Sequence, residues 1–167
     1  AACDVHACVG TGREAVKAAM RRGKDVKQDN VQYCLRMTRA AYEDALDVAD
    51  DQIDPLLDDG WRPEDVALLT TGARHPEQVS LQESEGQLGY WRTFWDKDCV
   101  FYGHVLGCKG LERKVVVLCV NERTPRERAR ERLYVGLSRA TDKLVVVGPR
   151  DVILEMGGPD VGRRLGL

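Results

Sequence analysis

Two short stretches of this 167-residue chain carry residue types suited to phosphate chemistry. In GCKGLE, Gly107 and Gly110 flank Lys109, and Glu112 follows. Glycines allow tight turns, and exposed amides beside a lysine make a site for an anion; the same spacing equally serves a plain connecting turn. In RLYVGLSRATDKLVVVG, Arg132 to Gly148, Arg139 stands beside small residues where a helix is expected to run into a strand. A guanidinium keeps its proton, its fork matches phosphate or carboxylate oxygens, and a helix C-terminus favours its charge.

These groups need elements to hold them. A helix expected over Pro125 to Ala140 would bury Ala129, Leu133, Leu137 and Ala140. Arg128, Arg132 and Arg139 would then share a separate face, either solvated or aimed at an anion. Gly136 costs that helix about 1 kcal/mol relative to Ala, which makes sense where something approaches the backbone closely. KVVVLCV (Lys114 to Val120) and DKLVVVG read as buried strands, and DVALLTT (Asp65 to Thr71) as a third, after a turn at Arg62–Pro63. CVFYGHV reads as a fourth strand. Val31, Tyr33 and Leu35 alternate as a half-buried strand would, and Thr38 is placed to cap a helix over Arg39 to Asp58. In that helix Ala45, Val48, Ile53, Leu56 and Leu57 form the apolar stripe. His75 and Pro76 suit the start of another helix, on which Tyr90, Trp91, Phe94 and Trp95 lie at helical spacing. That row serves either as packing against a sheet or as a platform for stacked bases. Asp151 to Met156 is expected to form a short last helix. Strands alternating with helices give an α/β class with a largely parallel central sheet.

Composition narrows the partners. The net charge of −2 provides no global basic field, so nucleic acid would be met through a local patch. Arginine outnumbers lysine by more than two to one, which suits bidentate contacts and equally follows from codon bias. Six cysteines without a C-x-x-C pair read as reduced thiols in a cytoplasmic protein, with Cys119 a core residue. Cys3, His6 and Cys8 lack a partner cluster and ligand-like spacing, so no metal site is assigned. No apolar run suits a membrane span or a signal peptide. The chain lacks an initiator Met, as a piece of something longer would. Residues 1–29 resist assignment, although Val5 to Val9 suit a strand, Glu14 to Arg22 a helix and Gly23 to Asn30 a loop. Residues 30–167 read as one domain.

GCKGLERKVVVL, within residues 103–118, resembles motif V of UvrD/Rep-type superfamily 1 helicases, and residues 132–148 resemble motif VI, Y-V-G-x-[ST]-R-A before a strand. RPEDVALLTT resembles the strand that precedes them in that family. One departure stands out. The family commonly has a histidine three residues before the motif V lysine; Leu106 occupies that place, and His104 lies two residues earlier.

The resemblance implies a RecA-like, three-layer second motor domain, which lacks the phosphate loop of the first. ATP and Mg²⁺ would be shared with an N-terminal RecA-like domain of the same parent chain. Arg139 would be the arginine finger, with Glu112 and Gly110 at the nucleotide. Lys109, His104 and Ser138 would face single-stranded or duplex DNA. No G-x-x-x-x-G-K-[ST] and no acidic Mg²⁺ motif occur here, so the isolated chain is expected not to hydrolyse ATP. The roughly 30 residues between Thr71 and Val100 are too few for the extra domain that large relatives insert there. The aromatic helix, Tyr90 to Trp95, would take its place, and that helix and RHPEQ are expected to face the DNA track or the partner domain. The alternative is a non-catalytic module that binds nucleic acid or a protein.

Overall fold

A computed structural model of the chain describes residues 4–7 and 34–167. Its centre is a six-stranded sheet built from β1 (Asp4–Ala7), β2 (Cys34–Arg39), β3 (Val66–Thr70), β4 (Phe101–His104), β5 (Arg113–Cys119) and β6 (Ala140–Gly148). The spatial order is β1-β2-β6-β5-β3-β4. Five strands run parallel, and β1 adds to β2 antiparallel. The strand expected over Val5 to Val9 is thus β1 as far as Ala7; Val31, Tyr33 and the helix and loop expected over 14–30 lie outside the described residues.

The helices are α1 (Ala45–Asp50), α2 (Ile53–Asp58), α3 (Pro76–Arg92), α4 (Ala129–Leu137) and α5 (Arg150–Leu165). Strand alternation sorts the core into two clusters. Val116, Leu118, Leu144 and Val146 meet Tyr90, Leu133, Leu137 and Ile153 on one face. Val115, Val117, Val145 and Val147 meet Ala45, Ala49, Ile53 and Leu56 on the other. Helices cover both faces, which is why the central strands are apolar without a break. The result is the three-layer α/β arrangement with a largely parallel sheet that the motifs imply.

Several boundaries differ from expectation. Thr38 caps no helix: it pairs with Val147 inside β2 and is buried. The single helix expected over Arg39 to Asp58 is two, broken at Asp51–Gln52. Pro55 explains the break, since it has no N–H for the Asp51 carbonyl and its ring would clash there. The helix expected from Pro125 begins only at Ala129, because Arg128 sits left-handed at φ 60°. The Glu127 carbonyl is also taken, by the Arg132 guanidinium at 2.5 Å. With the helix confined to Ala129–Leu137, Arg128 and Arg139 lie outside it, and the expected arginine face dissolves. Arg132 is buried against Glu122, and Arg128 is exposed beside Glu131.

The last helix runs well past Met156. It continues through a kink at Gly158, φ 79°, and buries Val161 and Leu165. Gly136 also has its cause inside the fold: a Cβ there would stand 2.4 Å from Cδ1 of Leu118, itself fully buried on β5. The helix gives up propensity so that α4 can lie close to the sheet.

Candidate functional site

The two motifs meet at the amino ends of β5 and β6. The Arg113 N–H donates to the Arg139 carbonyl at 3.0 Å, which joins the strands where they begin. From β4 the chain must return over β3 to start β5, and it does so through the turns of residues 105–110 without a helix. Gly103 makes this short path fit, because a Cβ there would meet Cys108 Sγ at 3.1 Å. Gly110 takes φ 86° at the tip. Burial pushes the Cys108 thiol up to about 12, against the pull of Arg139 and Arg113, so it is an uncharged packing group. Cys119, also pushed up to about 12 by burial, is the core residue expected of it.

Arg139 fastens the turn to the helix end. Its Nη1 donates to the carbonyls of Leu111 at 3.1 Å and Cys108 at 3.4 Å. Its Nε donates to the Val135 carbonyl at 3.0 Å, and its Nη2 to Ser138 Oγ at 2.9 Å. Ser138 is buried, and its hydroxyl donates in turn to the Val135 carbonyl at 3.0 Å. The serine therefore orients the guanidinium from behind. Lys109, Gly110 and Glu112 lie exposed along the same turn and at the start of β5. Arg139, Ser138, Lys109, Gly110 and Glu112 thus lie at one end of the sheet, with the Arg139 and Ser138 donors spent on oxygens of the chain itself.

Of the expected residues, His104 alone lies at the opposite, carboxyl end. His104 ends β4, half-buried; its Nε2 donates to the Thr71 carbonyl at 3.1 Å, and its Nδ1 accepts from the Leu106 N–H at 3.2 Å. Both bonds require the neutral Nε2–H ring. Burial holds its pKa below the ordinary value, and the Thr71 carbonyl pulls weakly the other way. Leu106, in the place of the family's histidine, is exposed. His104 and Leu106 share a cavity of about 410 Å³ with Gly107, Gln78 and Trp91.

The pH consequence has a definite sign. The unfolded chain takes up this proton below about pH 6.5, and the folded chain only at lower pH. Stability from the neutral ring is therefore complete above the unfolded value and is lost as pH falls towards the folded one. Urea midpoints are expected to drop between pH 7.5 and 5, and to drop less in His104→Asn. Equal slopes for the two proteins would show that another group is responsible.

The aromatic row divides between the core and the surface. Tyr90 and Phe94 are buried around Phe101, and the Tyr90 hydroxyl donates to the Tyr102 carbonyl at 2.9 Å. Trp91 stacks on Phe101 with one side left open to the cavity, while Trp95 is 75% exposed. The His75 cap is present as expected, with Nδ1 accepting from the Glu77 N–H and Nε2 held by Asp50.

Three residues escaped the sequence reading. Gln78, the last residue of RHPEQ but not singled out within it, is buried beside the cavity. Arg113 donates to the Glu64 carbonyl at 2.6 Å and to that of Phe94, and it covers the Phe94 ring. Glu122 and Arg132 form a buried pair across the β5–α4 loop, for which no local pattern exists. Among the described residues no group of three or more His, Cys, Asp or Glu side chains could hold a metal, and no helix is long and apolar enough to cross a membrane. Of the Cys3, His6, Cys8 cluster, Cys3 and Cys8 lie outside the described residues.

Residues 104–147 match the UvrD-like helicase C-terminal domain family. No curated protein matches the chain. Among solved structures, the C-terminal domain of a possible DNA helicase from Lactobacillus plantarum WCFS1 is similar at 18% identity and a TM-score of 0.46, over 83% of this chain and 86% of that one. The family match runs from the end of β4 through nearly all of β6, and so takes in both motifs.

Proposed function

We propose that the chain is the second motor domain of an ATP-dependent DNA helicase or translocase, which completes a nucleotide site on another RecA-like domain and touches single-stranded DNA. The observation that carries this reading is the clamp of Arg139 on the turn of residues 108–111. One guanidinium there belongs to both motifs, so a change at the nucleotide is felt at once by the turn that holds Lys109. With ATP and Mg²⁺ bound at the domain boundary, the triphosphate oxygens would compete with the backbone carbonyls for the Arg139 fork. Arg139 would then contribute charge to the transferring phosphoryl group, with Ser138 holding the fork in line. Glu112 would accept from a sugar hydroxyl. Ser138, being buried, serves this reading as a positioning residue and not as a DNA contact.

A second reading is favoured by the same bonds. Arg139 already finds four oxygen acceptors within its own chain, as a purely structural arginine in a non-catalytic binding module would. Steady-state ATP turnover separates the two. The 167-residue chain alone is expected to show none, and DNA-stimulated turnover is expected when it is joined to the ATP-binding domain of its parent. Turnover by the chain alone would overturn the proposal. Its absence from the joined protein, with folding intact, would leave the binding module.

A further inference from the structure

The geometry points to a nucleobase pocket at the carboxyl ends of β3 and β4, in which one unstacked base of a single strand lies on Trp91 and hydrogen-bonds to Gln78. This inference rests on the single-strand contact proposed above and adds a base-reading site to it.

The pocket is a half-open groove. It occupies about 410 Å³, within the usual range for small-ligand sites, and lies at the end of a parallel sheet where such folds bind ligands. One wall is the open side of the Trp91 ring, backed by Phe101 at a centroid distance of 5.7 Å and so held flat. Gly107 passes within 3.4 Å of the same indole, measured from where its Cβ would be, so the wall and the turn that follows β4 are in direct register.

Gln78 supplies the reading group. It is only 4% exposed, and its Oε1 has no hydrogen-bond partner. A buried acceptor left unpaired costs about 1–3 kcal/mol, which a donor brought by a ligand recovers. The terminal torsion of a glutamine is soft, so a small turn of the amide aims Oε1 into the cavity. Every base offers an N–H on its Watson–Crick edge.

Charge fits the same occupant. None of the lining residues is acidic, and Arg74 is exposed at the rim, where it donates to Gln82 at 3.3 Å. A strand's phosphate is thus met by a cation outside while the base meets a neutral interior. His104, fixed as a neutral ring by its two bonds, adds no charge of its own.

Binding of a fluorescent dT20 and of a 20-mer of the same backbone without bases tests this on the full chain. Wild type is expected to prefer dT20 by about tenfold or more, the yield of stacking and one hydrogen bond. Gln78→Leu, which keeps the volume, and Trp91→Leu should each shrink that ratio several-fold while leaving the abasic affinity unchanged. Trp95→Ala, outside the pocket, should leave the ratio intact. Equal binding of both strands by wild type would overturn the pocket but leave the single-strand contact standing. Binding of neither would overturn both. Displacement of dT20 by dTMP at matching affinity would reassign the pocket to a free nucleotide and overturn the strand as its source.

Discussion

Under the proposed function, replacing Arg139 with Ala in a protein that joins this chain to an ATP-binding RecA-like domain is expected to lower kcat for ATP hydrolysis by about 10³-fold or more, the usual worth of a guanidinium at a transferring phosphoryl group. KM for ATP should change far less, because the interaction grows as charge spreads in the transition state. The structure adds a complication that must be separated out. The same side chain bonds the carbonyls of Cys108, Leu111 and Val135, so its loss also loosens the turn. Arg139→Lys distinguishes the two roles. A lysine keeps the charge and can reach one carbonyl, but it lacks the planar fork. If Arg139 acts on phosphate, Lys restores stability more than it restores kcat. If it is only a clamp, kcat follows the folded fraction in both variants and recovers on cooling. A kcat within tenfold of wild type in Arg139→Ala, with the protein folded, would remove the arginine from the chemistry.

How much of this was legible in the sequence depends on the range of the interaction. The central strands were readable because a run such as VVVLC, buried on both faces, needs no partner to be recognised. The core face of α4 was readable because Leu133 and Leu137 obey the helical period within the helix. The arginine stripe was misread for the same reason in reverse: the period was applied to Arg128 and Arg139, which lie beyond the helix ends. The start of α4 is set by a left-handed Arg128 and by a guanidinium on the Glu127 carbonyl, neither of which is a propensity.

The site divides along the same line. Lys109, Gly110, Glu112 and Arg139 lie in motifs contiguous with strong strands, so their place in the chain was legible, while the roles proposed for them rest on the resemblance. Gln78 could not, because its significance lies in an oxygen left unpaired by residues distant in sequence. Gly136 was recognised as a place of close approach, yet what approaches is Leu118 of the next strand and not a ligand. Sequence marks that space is needed; only packing says for what.

Arg132→Ala is expected to cost about 3–5 kcal/mol of stability, the usual penalty for stripping one partner from a buried ion pair. Glu122 is 1% exposed, and its Oε1 accepts from Arg132 Nη2 at 2.6 Å. Without the guanidinium its carboxylate keeps the desolvation cost and loses the compensating charge. The location magnifies the effect. Glu122 follows Asn121, whose side chain accepts from the Gly72 N–H at 2.8 Å and donates to the Ala73 carbonyl at 2.9 Å. The loops after β3 and β5 are therefore tied together beside the cavity, and a carboxylate seeking water there pulls on both. Removing both charges should be far less harmful: Glu122→Met with Arg132→Met keeps similar volume without a buried ion. Urea unfolding of the two single variants and the double variant measures the coupling between them. A cost under about 1 kcal/mol for Arg132→Ala would place the pair among solvent-screened surface bridges and overturn the role given to it here.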